Sequence, residues 1–261
     1  MNSTTTITEA IQVKRMNRVL VKTAATLGRE EARYLVNAYY DVQRHRESAE
    51  AQLRRAADGN QPHQLIAWLA EQDRVVEKQI KRALDEWTDP LPAARWAKSI
   101  IGVGPVIAAG LAAHIDISKC GTVSQIWRFA GYDPTLKWVC GTKCPWNQHL
   151  KHVCVLAGES FVRTSGHEDG FYGQFYLARK RVEQGKLPPA QIHVRAVRWA
   201  VKLFLAHYYY VAWVAATGAE PPTPYAMGIL GHDGFIAPPN FQQKPTGDEG
   251  HASNIRDSAR R

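Results

Sequence analysis

The chain has 261 residues, a formal net charge of +9 and a sequence pI near 9.4. Its apolar fraction of 45% can build a hydrophobic core, which excludes a fully disordered chain and leaves room for one or two domains. The basic balance favours a partner that carries phosphate groups, although net charge carries no information about the fold.

The first 28 residues are polar and rich in threonine, and we expect a polar, loosely helical leader there. They lack the apolar stretch that a secretory signal peptide needs. Without such a signal, the four cysteines are expected to be free thiols rather than disulfides. The sequence therefore predicts a cytoplasmic protein.

Residues 29–89 are predicted to form an antiparallel, coiled-coil-like pair of long helices. Apolar residues recur at helical spacing over residues 30–57 and again over residues 63–87. Asp58-Gly59-Asn60 breaks the pattern between them, and Pro62 cannot continue the first helix. The length of the hairpin suggests a homodimer formed through it, and packing on its own chain is the alternative.

The proline-rich segment 88–92 is the best predicted domain boundary, so a compact helical domain is expected over residues 90–235. Pro145 suits the first turn of a helix, and Gly218 is expected to end the last one. Residues 236–261 are predicted to be disordered because they hold almost no apolar side chains. The helices of this domain are predicted at residues 92–100, 105–115, 122–130, 145–164, 169–184 and 190–217.

The last of these helices is apolar but carries Arg195, Arg198, Lys202 and His207, which argues against a membrane span. The spacing of its first three cations places them near one side of the helix. Between Lys137 and Lys202 there are eleven basic and four acidic residues, so this stretch carries most of the net charge.

The most informative segment is a glycine turn between two predicted helices, Ile101-Gly102-Val103-Gly104-Pro105. Two glycines allow a tight turn and the close approach of a partner. The following helix begins with unpaired amides and the positive end of its dipole, which together favour a phosphate. We predict a helix-hairpin-helix that binds nucleic-acid backbone, with a plain helical turn as the alternative. The amides expected to bind are those of Gly102, Val103, Gly104 and Val106.

This turn (residues 100–105), the small-residue helix 108–114 and the segment 126–134 resemble a known family. They are similar to the C-terminal domain of the IS one-ten (IS one-sixteen, IS nine-oh-two) family of bacterial insertion-sequence transposases, whose members are guided by a bridge RNA. A helical hairpin similar to residues 29–89 precedes this domain in the family. The resemblance implies an all-α, DNA-binding protein connected with DNA transposition and recombination by a mobile genetic element.

The chain departs from the family in two respects that concern catalysis. Family members begin with a RuvC-like domain whose carboxylates hold divalent metal, whereas the first 28 residues here hold one acid, Glu9. The family also carries a serine-bearing loop, and the matching stretch here is Trp138-Val139-Cys140-Gly141. Cys140 therefore lies roughly at the position of the family's nucleophile.

We expect no catalytic activity from this chain alone, because the resemblance implies that strand transfer also uses the metal site. One alternative is an active transposition component that works with a separate nuclease domain or through Cys140. Another is an RNA-binding or structural assembly protein.

No metal or other cofactor is expected. The alternative is a zinc site built from closely spaced ligands, although their spacing is looser than that of a typical zinc knuckle. The ligands of such a site would be Cys140, Cys144, His149 and Cys154.

The basic residues of the second domain are expected to add phosphate contacts and a strong salt dependence. Trp138 and Trp146 lie beside two of these cations and are expected to contact nucleic acid, whereas Trp199 and Trp213 are expected in the core. The sequence thus predicts an all-α protein that is bound to DNA, or else to RNA, and associated with the nucleoid. The predicted phosphate contacts are Lys137, Lys143, Lys151, Arg179, Lys180, Arg195 and Arg198.

Overall fold

The computed structural model describes residues 15–56, 64–222 and 234–241, and in these residues it contains helices and no strand. The predicted all-α class is confirmed. The first half of the predicted leader (residues 1–14), the break at residues 58–62 and the tail from residue 242 lie outside the described residues. The helices are α1 (Arg18–Thr23), α2 (Arg29–Ala56), α3 (Gln64–Thr88), α4 (Pro92–Lys98), α5 (Pro105–His114), α6 (Val123–Phe129), α7 (Gln148–Arg163), α8 (Phe171–Glu183) and α9 (Pro189–Thr217).

Helices α2 and α3 pack side by side in opposite directions. Tyr39 and Arg46 of α2 contact Glu77 of α3, at 3.1 and 2.6 Å, and further along α2 Glu50 contacts Arg74 at 2.7 Å. Arg46 also donates to Glu50 at 3.0 Å, so these charges are paired within the chain. A homodimer through this pair of helices stays a prediction.

One hydrophobic core continues across the predicted domain boundary at residues 88–92. Val36 of α2 and Leu84 of α3 belong to the same buried cluster as Leu111 of α5. The indole Nε1 of Trp87 donates to the carbonyl of Leu27 at 2.9 Å, and Arg33 donates to the carbonyl of Ala113 at 2.8 Å. Helices α2 and α3 therefore share a core with the helices that follow them in the chain.

Helix α7 begins later than predicted. The side chain of Asn147 accepts a hydrogen bond from the amide of Leu150 at 2.9 Å, so Asn147 caps the helix and Pro145 lies before it. The last helix, α9, ends as predicted at Gly218, whose φ of 73° is left-handed.

Part of the tail predicted to be disordered is packed against the helices. The indole of Trp96 donates to the carbonyl of Pro239 at 2.7 Å, and the side chain of Asn240 donates to the carbonyl of Ser99 at 3.0 Å. Nε2 of His207 lies 2.8 Å from the carbonyl oxygen of Ile236. The disorder prediction was therefore wrong for residues 236–241, because polar side chains of the helices hold this backbone in place.

Within the described ranges, no helix combines the length and the apolar content that crossing a bilayer requires.

The packing of α8 against α7 depends on the absence of a side chain at Gly173. A Cβ atom there would lie 2.5 Å from Cα of Ser165 and 2.8 Å from the carbonyl oxygen of Phe161. Because backbone cannot move aside cheaply, Gly173→Ala should lower the free energy of unfolding by about 1–3 kcal/mol. Denaturant titration with circular dichroism measures this.

The matched control is Gly166→Ala, since a Cβ at Gly166 would meet nothing within 4 Å. This variant should unfold at nearly the wild-type denaturant concentration. Equal midpoints for the two variants would contradict the proposed packing role of Gly173.

Candidate nucleic-acid interface

The glycine turn joins α4 to α5, as the sequence predicted. Gly102 has a φ of 91°, which favours glycine, and Gly104 is the N-cap of α5 with extended φ and ψ of −88° and 175°. Pro105 follows in the first helical turn. The amide of Val103 donates to the carbonyl of Ile100 at 2.9 Å. Val103 therefore leaves the predicted set of phosphate-binding amides, because its donor is already used.

The two glycines have different environments. The hydroxyl of Ser160 in α7 donates to the carbonyl of Gly102 at 2.6 Å, and a Cβ on Gly102 would lie 2.6 Å from that hydroxyl oxygen. A Cβ on Gly104 would meet nothing within 4 Å. Gly102 is therefore required by packing inside the chain, whereas Gly104 faces open space.

The start of α5 still offers backbone donors. The first amides of a helix have no partner inside it, and here these include the amide of Val106. The side chain of Val106 is buried, which fixes the backbone that carries this amide. Of the predicted amides, that of Val103 is used within the turn, and those of Gly102, Gly104 and Val106 remain the candidates for a phosphate.

A separate basic cleft of about 560 Å³ lies where the loop after α6 meets α7, α8 and α9. Asp133 is the acidic residue of its lining, and Thr135 donates to that carboxylate through its amide at 2.9 Å and its hydroxyl at 2.7 Å. These hydrogen bonds lower the pKa of Asp133, so it stays ionised. The basic residues of the lining are Lys151, Arg179, Arg195, Arg198 and Lys202.

The two lysines of the cleft are half-buried and have no carboxylate within ion-pair distance among the described residues. Nζ of Lys151 lies 3.7 Å from the ring centroid of Tyr132, and Nζ of Lys202 lies 4.1 Å from that of Trp127. Burial, and then the charge of Arg198, lowers the pKa of both ammonium groups. The cleft therefore concentrates positive charge that the described residues neutralise only in part.

Two further cations of the cleft share one buried carboxylate. Oε1 of Glu183 accepts from Arg179 at 2.6 Å and lies 3.4 Å from Arg195. Oε2 of Glu183 is buried and has no hydrogen-bond partner among the described residues. Glu183 thus holds the two guanidinium groups at the edge of the cleft and only partly offsets their charge.

The predicted grouping of Arg195, Arg198 and Lys202 on one side of a helix is confirmed, since all three line the cleft from α9. Four of the seven predicted phosphate contacts lie in this cleft, namely Lys151, Arg179, Arg195 and Arg198. Lys137 and Lys143 are exposed on the loop before α7, and Lys180 lies 5.3 Å from the ring centroid of Tyr176.

The turn and the cleft are two separate surfaces. Ser160, which holds the turn, and Lys151, which lines the cleft, are both on α7. Nine residues of helix turn the chain by about two and a half revolutions and advance it by roughly 13 Å. The two side chains therefore project from opposite faces of α7, and the predicted contacts do not form a single continuous patch.

Lys202 and Trp199 are among the cleft residues that sequence reasoning missed. Lys202 was counted as basic but not expected to bind, although it follows Arg198 by one helical turn. Trp199 was expected in the core, but it is only half-buried and lines the cleft, as does Trp146. The exposed Trp138 lies elsewhere, and its indole donates to the carbonyl of Thr142 in its own turn at 2.8 Å.

The cysteines do not form the zinc site considered from the sequence. No group of three or more His, Cys, Asp or Glu side chains in the described residues is placed to hold a metal ion. Cys140 is exposed in a turn, whereas Cys154 is buried in α7, where burial raises the pKa of its thiol to about 12. His149 stacks on His114, with ring centroids 6.0 Å apart.

Comparison with family models, with curated proteins and with solved structures gives no match to this chain.

Buried histidines make the stability of the fold depend on pH. Neither ring nitrogen of His114 has a hydrogen-bond partner among the described residues, and burial, aided by Arg33 and His149, lowers its pKa from 6.5 to about 4. Burial does the same to the pKa of His207. Since the unfolded chain takes up these protons first, stability is fully present above pH 6.5 and is lost as the pH falls towards 4.

The variant His114→Phe should reduce this loss, because phenylalanine keeps a flat ring against His149 without a titratable group. Between pH 6 and 4.5 its unfolding free energy should fall less steeply than that of the wild type, by up to about 1.4 kcal/mol per pH unit. Denaturant titrations at several pH values measure the slope. An unchanged slope would show that His114 is not protonated on unfolding.

Proposed function

We propose that this chain is a DNA-binding protein, related to the C-terminal domain of insertion-sequence transposases, that holds nucleic-acid backbone at the basic cleft. The observation that carries the proposal is the presence, in the described residues, of two half-buried lysines without carboxylate partners beside Arg198. Such charge is unfavourable in isolation and is stabilised by a polyanion. DNA supplies phosphates at a spacing that several cations of one cleft can meet.

The location of the resembling segment supports the same proposal. Gly131, Tyr132, Asp133 and Pro134, which belong to the segment that resembles the family, all line the cleft. Nζ of Lys151 donates to the carbonyl of Gly131 at 2.9 Å, which ties the segment to α7. In this proposal the motif serves to shape a phosphate-binding surface.

The start of α5 provides a second proposed contact with the backbone. Its free amides and its helix dipole favour an anion, and none of the described residues fills the space in front of Gly104. Contacts of this kind are independent of base sequence.

We further propose that the chain does not cleave DNA by itself. Metal-assisted phosphoryl transfer needs a set of ligands that positions the ion, and the described residues hold no such group of His, Cys, Asp or Glu side chains. Cys140 lies on an exposed turn. In this proposal Cys140→Ala leaves DNA binding intact.

The salt dependence of the affinity for DNA tests whether the cleft binds phosphates. Arg198→Ala should weaken binding to duplex DNA of any sequence and should flatten the slope of log affinity against log salt by about 0.9 for each phosphate that the variant no longer neutralises. Fluorescence anisotropy with a labelled duplex at several salt concentrations measures both effects.

The matched control for Arg198→Ala is Arg181→Ala, which removes an exposed arginine of α8 that does not line the cleft. This variant should keep a salt slope close to that of the wild type. If wild-type binding does not vary with salt, the cleft does not bind nucleic-acid backbone.

Substitutions at Gly104 test whether the glycine turn binds a phosphate. Aspartate and asparagine are both good N-caps and fit an extended backbone, so Gly104→Asp and Gly104→Asn should fold normally. Only aspartate places a negative charge against a phosphate at the start of α5. Gly104→Asp should therefore bind duplex DNA about fivefold or more weakly than Gly104→Asn.

Anisotropy at low salt, with thermal melting as the check on folding, measures this pair. Equal affinities of the two variants would exclude a phosphate at this turn and would leave the turn a purely structural element.

A further inference from the structure

The basic cleft is also lined by aromatic side chains. Tyr132, Trp146 and Trp199 lie on its walls together with the five cations. Trp199 is half-buried in α9, and the ring of Phe175 lies 5.3 Å away and supports it from α8. A site that contacts phosphates alone has no need of indole rings, so this combination calls for a ligand with both an anionic and an aromatic part.

The other aromatic rings of the cleft are already engaged. Lys151 lies over the ring of Tyr132. The indole of Trp146 packs on Gly131, where a Cβ would lie 2.8 Å from its Cγ. Trp199 is therefore the ring best placed to receive a base.

We propose that this cleft binds an unpaired nucleotide of a nucleic-acid strand, with its base against Trp199 and its phosphate against Arg198, Lys151 and Lys202. The inference rests on the proposed function and adds the kind of nucleic acid that enters the cleft. A volume of about 560 Å³ is that of a small-ligand site and suits a nucleotide rather than a double helix.

The nucleotide has to be unpaired because the base faces in a duplex are covered by their neighbours. A duplex can place its phosphates at the mouth of the cleft, but only a single strand can lay a base on an indole. The exposed Trp138 is the rival location, since it lies beside Lys137 and Lys143. That residue stands on an exposed turn outside the cleft lining, and its indole N–H is already used.

The test compares three labelled ligands of equal length by anisotropy: a thymidine decamer, a decamer of abasic sites, and a duplex. The first two carry the same phosphates and differ only in their bases. The full-length wild-type chain should bind the thymidine decamer about 5- to 150-fold more tightly than the abasic decamer, which is the effect of stacking one base. Equal binding of these two ligands by the wild type would overturn the inference without any variant.

Variants then locate the base. Trp199→Ala should remove the preference for the thymidine decamer while leaving the affinities for the abasic decamer and the duplex unchanged. Trp199→Phe should keep much of the preference, because a ring remains. Trp213→Ala is the matched control, since Trp213 is a half-buried tryptophan of the same helix outside the cleft. It should bind all three ligands as the wild type does.

The outcomes separate this inference from the proposed function. Salt-dependent duplex binding, with equal affinities for the thymidine and abasic decamers, would contradict the inference and leave the proposed function standing. If Trp138→Ala loses the preference for the thymidine decamer and Trp199→Ala keeps it, the base stacks on Trp138 in the exposed loop and not on Trp199. No binding to any of the three ligands would refute both proposals. Thymidine 5′-monophosphate that competes as strongly as the decamer would show that the cleft takes a free nucleotide rather than a strand.

Discussion

The close packing of α7 in the middle of the molecule is the constraint on which the rest of the structure depends. Leu150, Val153, Ala157 and Phe161 recur at helical spacing and are all buried, so the rotation of this helix about its axis is fixed. That rotation places Ser160 against the turn before α5 and Lys151 in the cleft. A change in the core that rotated α7 would disturb both surfaces at once.

The same packing makes positive charge in the cleft energetically costly. Half-burial of Lys151 and Lys202 beside Arg198 lowers the pKa of both lysines, which means that the fold disfavours their charged forms. The charge of Asp133 relieves part of this cost at Lys202, while the buried carboxylate of Glu183 is shared by two other cations. A bound anion would lower this cost, and this is the physical basis of the proposal that the cleft binds phosphate.

The sequence predicted the features that depend on local patterns. The helices, the glycine turn, the end of α9 at Gly218 and the common face of Arg195, Arg198 and Lys202 all follow from spacing along one segment. It could not predict features that depend on contacts between distant segments. The use of the Val103 amide, the position of Trp199 and the packing of residues 236–241 are determined by tertiary neighbours. The zinc alternative failed for the same reason, since two cysteines that are near in sequence are separated by the fold, Cys154 in the core and Cys140 on the surface.

The two glycines of the turn show how packing separates residues that a motif groups together. In the sequence Gly102 and Gly104 are equivalent, and both permit close approach by a partner. In the fold, contacts within the chain explain why residue 102 is glycine. Its left-handed φ disfavours other residues, and the hydroxyl of Ser160 leaves no room for a side chain. Gly104 has an ordinary backbone conformation and open space before it, so none of the described residues requires glycine there. Any functional requirement for glycine in this turn must therefore come from a partner and act at Gly104, where the unpaired amides of α5 begin.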